Sequence, residues 1–331
     1  MTATVPAKAR TDRPTWYPPL PSTRERRMGD AAARVAGAGA PLYGRQVMHV
    51  LGAVTEPPDA PTSDLDVDGD PGWFGPDSVT WRVHADPSAL VAGMAAFVVQ
   101  TLHPRAMAGV YDHSDFKNDF FGRTRRTGHY VLGVTYDSTP AAERWVRIVR
   151  AVHEKVVGET PDGRPYSANE PRLLVWVHIT QYQALASAYQ RFAPTPLTPD
   201  ELDRYVDETA QVGVALGVPE PPRSWAALDA AFQDFRTELC VSEQAATGIN
   251  ALRDLPGLHA AVRPAWNAVW SGAVAVMPNV ARKLTLLRPP PERELIACRA
   301  LIGTVRAVRG EPTQLVRARA RIDRGARERA A

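Results

Sequence analysis

Apolar residues at helical spacing dominate the middle of the chain. The segment that follows Asp86-Pro87 is apolar on every face as far as His103-Pro104, which predicts a central, buried helix. A second helix is predicted from Thr139-Pro140 to about Gly158. Its apolar stripe is formed by Trp145, Ile148, Val149, Val152 and Val156.

Further helix starts are marked by capping residues. A third helix is predicted from Asn169-Glu170-Pro171 toward Tyr189. Thr198-Pro-Asp-Glu201 is a capping box, and Gly217 is the natural end of the helix that it starts. Ser224 caps a fifth helix, and helical patterns also cover residues 241–253, 260–277 and 291–308.

Strand signals are few and short. Only the runs Val79–Val83 and Tyr130–Val134 cluster β-forming residues. The predicted fold class is therefore mostly α, with one helical domain over residues 41–310. Residues 1–40 are predicted to be a Pro-rich and basic extension whose first two dozen residues are irregular, and residues 311–331 a disordered, Arg-rich tail.

Composition narrows the class of protein. The chain has 331 residues and a formal net charge of +3, too small to indicate a nucleic-acid partner. Its longest apolar run, Ala89 to Val99, is too short to predict a transmembrane segment. Two cysteines exclude a disulfide framework, and no export signal is recognised near the start. We therefore expect a cytoplasmic protein.

Two of the eight histidines fall inside strongly predicted helices. His153 lies among Val149, Val156 and Val157, and His178 lies between Leu174 and Tyr182. A histidine on such a face is most often a hydrogen-bonded core residue. The functional alternative is a neutral imidazole that ligates a haem iron while the apolar face packs on the porphyrin.

A run of cations offers partners for haem propionates. Arg123-Thr-Arg-Arg-Thr127 supplies three guanidiniums within five residues, and Arg105 is not far upstream. By itself this run is typical of a solvated basic loop. If the segment is helical, Arg123 and Thr127 share one face and can act as a pair.

Several blocks of the sequence occur in the order found in a known family. Residues 73–285 resemble the rubber-oxygenase/MpaB-type family, which includes the latex-clearing proteins. The resemblance is carried by Trp73–Arg82, Gln100–Val110, His113-Ser114, Gly122–Thr127, Val152–Gly158, Leu173–His178 and Asp203–Glu208.

The resemblance implies a globin-like helical core and a b-type haem. In the latex-clearing members a core-helix histidine holds the iron, and an arginine and a threonine four residues apart lie near the haem. That pattern assigns His153 as the iron ligand, with His178 in reserve. It assigns Arg123 and Thr127 to catalysis, and both of them with Arg126 to cofactor binding.

One departure concerns the distal side of the haem. Latex-clearing members can place a lysine there, whereas Lys8, Lys117, Lys155 and Lys283 are the lysines here and none matches clearly. The expected activity is thus a haem b-dependent oxygenase that uses dioxygen on a small apolar substrate, with polyisoprene in doubt. Two alternatives stay open: a non-catalytic haem sensor or carrier, and a helical ligand-binding domain without haem.

Overall fold

The computed structural model of the protein describes residues 20–39, 63–116, 119–255 and 257–330. Within these ranges the chain is mostly helical, which confirms the predicted mostly α class. The helices are α1 (Thr23–Gly39), α2 (Val79–Ala85), α3 (Ala89–Thr101), α4 (Pro104–His113), α5 (Phe120–Tyr136), α6 (Thr139–His153), α7 (Pro171–Phe192), α8 (Pro199–Leu216), α9 (Trp225–Asp234), α10 (Glu243–Arg253), α11 (Arg263–Val276), α12 (Asn279–Leu284), α13 (Glu292–Arg309) and α14 (Thr313–Ala330).

The core is built around α3, which packs against α7 and α11. Most side chains of α3 are buried, as expected for a helix that is apolar on every face. The indole of Trp176 on α7 donates a hydrogen bond to the carbonyl of Gln100 at 3.2 Å. The predicted central helix is therefore confirmed, and it ends just before His103-Pro104.

Capping chemistry sets several helix ends. Thr198 and Glu201 form the predicted capping box at the start of α8. Gly217 ends that helix with a φ of 102°, a left-handed conformation that glycine adopts without strain. Ser224 accepts a hydrogen bond from the Ala227 N–H and caps α9 as predicted.

Both predicted strands are wrong. Val79–Val83 lies in α2, where Ser78 caps the helix by accepting from the Trp81 N–H. Tyr130–Val134 lies in α5, and the Trp81 indole donates to the Thr135 carbonyl at 2.9 Å. Packing of α2 on α5 outweighs the weak β propensity of two short runs. The strands of the described chain are instead β1 (Val157–Glu159) and β2 (Pro165–Ser167), an antiparallel hairpin.

Helices α5 and α6 pack closely against each other. A Cβ at Gly133 would overlap the indole nitrogen of Trp145, so this contact requires glycine. Helix α6, which the sequence predicted to end near Gly158, ends at His153, because the residues that follow form β1. Val152, one of the residues of the apolar stripe, is 54% exposed.

The predicted N-terminal extension lies partly outside the described residues. Within it, α1 packs along α13. Glu25 of α1 forms a buried ion pair with Arg191 of α7 at 2.6 Å.

The predicted disorder of the C-terminal tail is wrong, because residues 313–330 form α14. Its Leu315 and Ala318 pack against Trp81 and Tyr136. The buried guanidinium of Arg321 donates to the carbonyls of Asp70 and Tyr136, both at 2.8 Å. Among the six arginines of this helix, Arg321 therefore anchors it to the fold. Among the described helices, none has the length and apolarity needed to cross a membrane.

Candidate functional site

An apolar cavity of about 240 Å³ lies between α3, α5 and α11. Its wall is mostly hydrocarbon and aromatic, with contributions from Met94, Phe97, Phe120, Leu185, Trp266 and Val269. Sites for small apolar ligands have this character, with a few polar groups that fix the orientation of the ligand. The polar side chains in the wall therefore define the candidate site.

Arg123 is the cation that α5 presents to this cavity. Its guanidinium carbon lies 5.0 Å from the centre of the Phe97 ring. Burial, and secondarily the charge of Arg126, lowers the pKa of Arg123 to about 10. No carboxylate of the described residues forms an ion pair with it. A guanidinium in that position favours an anionic group of a bound molecule.

Thr127 lies one turn after Arg123 and also borders the cavity. Its hydroxyl donates to the carbonyl of Arg123 at 3.2 Å. The segment is helical, so the two residues share a face. The sequence predicted this for the case in which the segment forms a helix.

Arg126 has a different environment. Its side chain is 65% exposed, forms an ion pair with Asp119 at 3.4 Å and does not border the cavity. The structure thus brings Arg123 and Thr127 together at the cavity wall and leaves Arg126 on the outer surface of α5.

His153 is the last residue of α6 and lies outside the cavity wall. Burial lowers the pKa of His153, and the Asn169 side chain opposes that shift. Its Nδ1 is buried and has no hydrogen-bond partner among the described residues. A neutral imidazole nitrogen without a hydrogen-bond partner is the kind of ligand that haem iron binds.

His178 is a core residue in the middle of α7. Its ring packs edge-to-face on Tyr182, with ring centres 4.8 Å apart, and contacts α8 at Gly213. Burial lowers the pKa of His178 to about 4, so its imidazole is neutral at pH 7. It does not border the cavity.

The sequence did not single out the histidine that does border the cavity, His84 of α2. Its Nδ1 lies 2.8 Å from the Thr135 hydroxyl, and its Nε2 lies 3.0 Å from the Tyr205 hydroxyl. Thr135 donates its own proton to the Val131 carbonyl, so Nδ1 of His84 is the donor and Nε2 accepts from Tyr205. Burial lowers the pKa of His84 to about 3.

These hydrogen bonds give His84 a structural part in the cavity wall. Both ring nitrogens are engaged, so neither is free to take a metal. The signal that could have found it was the helical spacing of Trp81 and His84, which the strand interpretation concealed.

The chemistry of two side chains fits haem. His153 has an unbonded imidazole nitrogen that could ligate the iron, and Arg123 has a guanidinium without an ion-pair partner among the described residues that could bind a propionate. A haem iron needs only one protein ligand. Clusters of three or more His, Cys, Asp or Glu side chains that could hold a bare metal ion do not occur within the described ranges.

Comparison with known proteins gives one family. Residues 81–307, well over half of the chain, match the model of the "ER-bound oxygenase mpaB/B'/Rubber oxygenase, catalytic domain". Neither a curated protein nor a solved structure matches the chain. The matched range begins in α2 and ends in α13, so it includes Arg123, His153 and every residue that lines the cavity except Arg309. The chain therefore belongs to the mpaB/rubber oxygenase catalytic-domain family.

Proposed function

We propose that the protein is a haem b-dependent oxygenase that uses dioxygen to oxidise a small apolar molecule. The observation that carries the proposal is Arg123, a guanidinium that lacks a described ion-pair partner and borders an apolar cavity. Membership of an oxygenase family supports the reaction class.

The proposed roles follow from the environment of each side chain. His153 would hold the iron through its neutral imidazole, with His178 as the reserve candidate. Arg123 would bind a propionate, and Arg126 would add a second positive charge at the surface. When bound, the haem supplies the iron chemistry that activates dioxygen.

The protein contributes orientation and exclusion of water. The aromatic wall of the cavity would hold the apolar substrate and keep solvent away. The Thr127 hydroxyl, which now donates to the Arg123 carbonyl, would be able to rotate and donate to a bound molecule. The hydrogen bonds of His84 with Thr135 and Tyr205 would keep the wall rigid.

A second candidate function is a helical ligand-binding domain without haem. It is favoured by one observation: neither His153 nor His178 borders the cavity that contains Arg123. The remaining alternative is a non-catalytic haem protein, which would bind haem as the proposed oxygenase does but would not catalyse a reaction.

The absorption spectrum of protein expressed with added haem separates these functions. A Soret band, with haem extractable by acid–acetone, is expected, since the chain has no Cys-x-x-Cys-His motif for covalent attachment. A folded but colourless protein would exclude both haem-binding functions and favour the ligand-binding domain without haem. If the reduced protein is coloured yet does not respond to dioxygen or carbon monoxide, the sensor or carrier is favoured.

The matched pair Arg123→Lys and Arg125→Lys tests the observation itself. Lysine keeps the charge but loses the planar fork that holds a carboxylate with two hydrogen bonds. Arg123→Lys should retain less haem than the parent. Arg125, exposed on the same helix, should tolerate the change. Equal haem content in the two variants would show that Arg123 does not take part in haem binding.

A further inference from the structure

A second and larger cavity opens on the other side of α11. Its volume is about 1000 Å³, and its walls are α11, the end of α10, the start of α13 and the loop that precedes α13. It has no lining residue in common with the apolar cavity. Arg263, Asn267, Trp270 and Val274 face it from α11, at a spacing that keeps them on one side of the helix.

Three guanidiniums line this cleft, those of Arg253, Arg263 and Arg288. Within the described residues none of the three forms an ion pair. The lining also contains Asp254 and Glu294. Glu294 accepts a hydrogen bond from Ser271 at 2.7 Å and lies in the first turn of α13, where the helix dipole stabilises a negative charge. The arginines therefore leave an excess of positive charge in the cleft.

An exposed leucine stands beside these arginines. Leu286 lines the cleft, is 86% exposed and has a φ of 56°. This left-handed conformation follows the last turn of α12, a position that normally takes glycine because a Cβ is strained there. The Leu287 N–H donates to the Arg282 carbonyl at 3.1 Å and closes the turn. The fold gains nothing from an exposed leucine in a strained turn, whereas a ligand in the cleft would contact it.

Trp270 supplies the other apolar surface of the cleft. Its side chain is half-buried on α11, and its ring lines the cleft with the arginines. Arginine and tryptophan together recognise molecules that have both an acid group and an apolar body.

We propose that this cleft is a second ligand site, which takes an amphipathic anion. The acid group would pair with Arg253, Arg263 and Arg288, and the apolar body would lie against Trp270 and Leu286. The inference is independent of the haem proposed above, since the two cavities lie on opposite faces of α11.

Calorimetric titration of the full-length protein with octanoate tests the charge requirement. Octanol has the same chain length without the charge, and acetate has the charge without the chain. Octanoate should bind about tenfold more tightly than either probe. Equal binding of octanol and octanoate, or no binding of octanoate at millimolar concentration, would overturn the proposal.

Variants assign the binding to the cleft. Arg263→Gln and the double variant Arg253→Gln/Arg288→Gln should each weaken octanoate binding about tenfold. The exposed Arg317→Gln of α14 is the matched control and should bind like the parent. If Arg123→Gln abolishes octanoate binding while the cleft variants keep it, the anion occupies the apolar cavity instead and the proposal fails.

Leu286→Gly separates a ligand contact from a structural role. Glycine relieves the strained turn, so the variant should melt at a higher temperature than the parent. It should also bind octanoate about threefold more weakly, because the apolar contact is lost. A more stable variant with unchanged octanoate affinity would count against the role of Leu286 in the site.

Discussion

The guanidinium of Arg123 lies over the face of Phe97, and this ring is the one stabilising partner that its charge has in the described structure. Arg123 is half-buried, and an aromatic face offsets only part of the cost of partly removing its charge from water. The arrangement therefore costs stability when the cavity is empty, and a bound anion would recover that cost. Residues kept for binding commonly have this property.

Arg123→Met tests that cost. Methionine has a similar length and no charge, so the ligand-free variant should be more stable than the parent by about 1 kcal/mol. Urea denaturation of ligand-free protein measures the change, and haem retention should fall in the same variant. A less stable variant would show that Arg123 is well compensated in the fold.

His153→Ala and His178→Ala should have opposite profiles. His178 is buried between Tyr182 and Gly213, so its loss leaves a cavity that lowers the free energy of unfolding by about 2–3 kcal/mol while haem is retained. His153 is half-buried at a helix end, so its loss should cost about 1 kcal/mol or less but remove the haem. Denaturation and the ratio of haem to protein measure both. If only His178→Ala loses haem, the assignment of the iron ligand is reversed.

Stability should fall in mild acid. Burial lowers the pKa of His178 to about 4 and that of His84 to about 3, whereas the unfolded values are about 6.5. Below pH 6.5 the unfolded chain therefore binds protons that the folded chain excludes, and the free energy of unfolding decreases as pH decreases.

Each of these histidines should contribute about 1 kcal/mol per pH unit between pH 6 and pH 5. His178→Gln removes one titrating group, so its plot of unfolding free energy against pH should be less steep by that amount. Denaturant titrations at pH 6.0, 5.5 and 5.0 give the slope. Identical slopes for the parent and the variant would mean that His178 is protonated in the folded protein.

Arg321→Ala tests whether the last helix belongs to the fold. The Arg321 guanidinium is buried, bonds two backbone carbonyls and pairs with Asp66 at 3.1 Å. Its loss leaves those acceptors without a partner and should lower the free energy of unfolding by about 2–4 kcal/mol. Arg317→Ala, exposed on the same helix, should stay within about 0.5 kcal/mol of the parent. Similar stability of the two variants would support the sequence-based prediction that the C-terminal tail is disordered.

Part of the candidate site followed from sequence. The spacing of Arg123 and Thr127 requires only that α5 be helical, and both residues border the cavity. The buried environment of His178 likewise followed from its apolar neighbours on one helix. These are local properties, in which residues three or four positions apart share a face.

Other features of the site needed the whole structure. His84 borders the cavity because α2 packs against α5 and α8, which supply Thr135 and Tyr205. Nothing near His84 in the sequence specifies those partners. Arg126 has the same charge as Arg123 and lies three positions away, yet it pairs with Asp119 on the outside.

The sequence by itself determined the mostly α class, several helix starts and the family blocks, because 3.6-residue periodicity and capping are written in neighbouring residues. Tertiary structure alone decided that α14 is docked, and the packing of α2 on α5 overrode the β propensity of Val79–Val83 and Tyr130–Val134. It also decided that Arg123 lies against an apolar cavity with no described carboxylate beside it. Each of these depends on contacts between residues far apart in the chain, and such contacts can override a local propensity by several kcal/mol when they bury side chains.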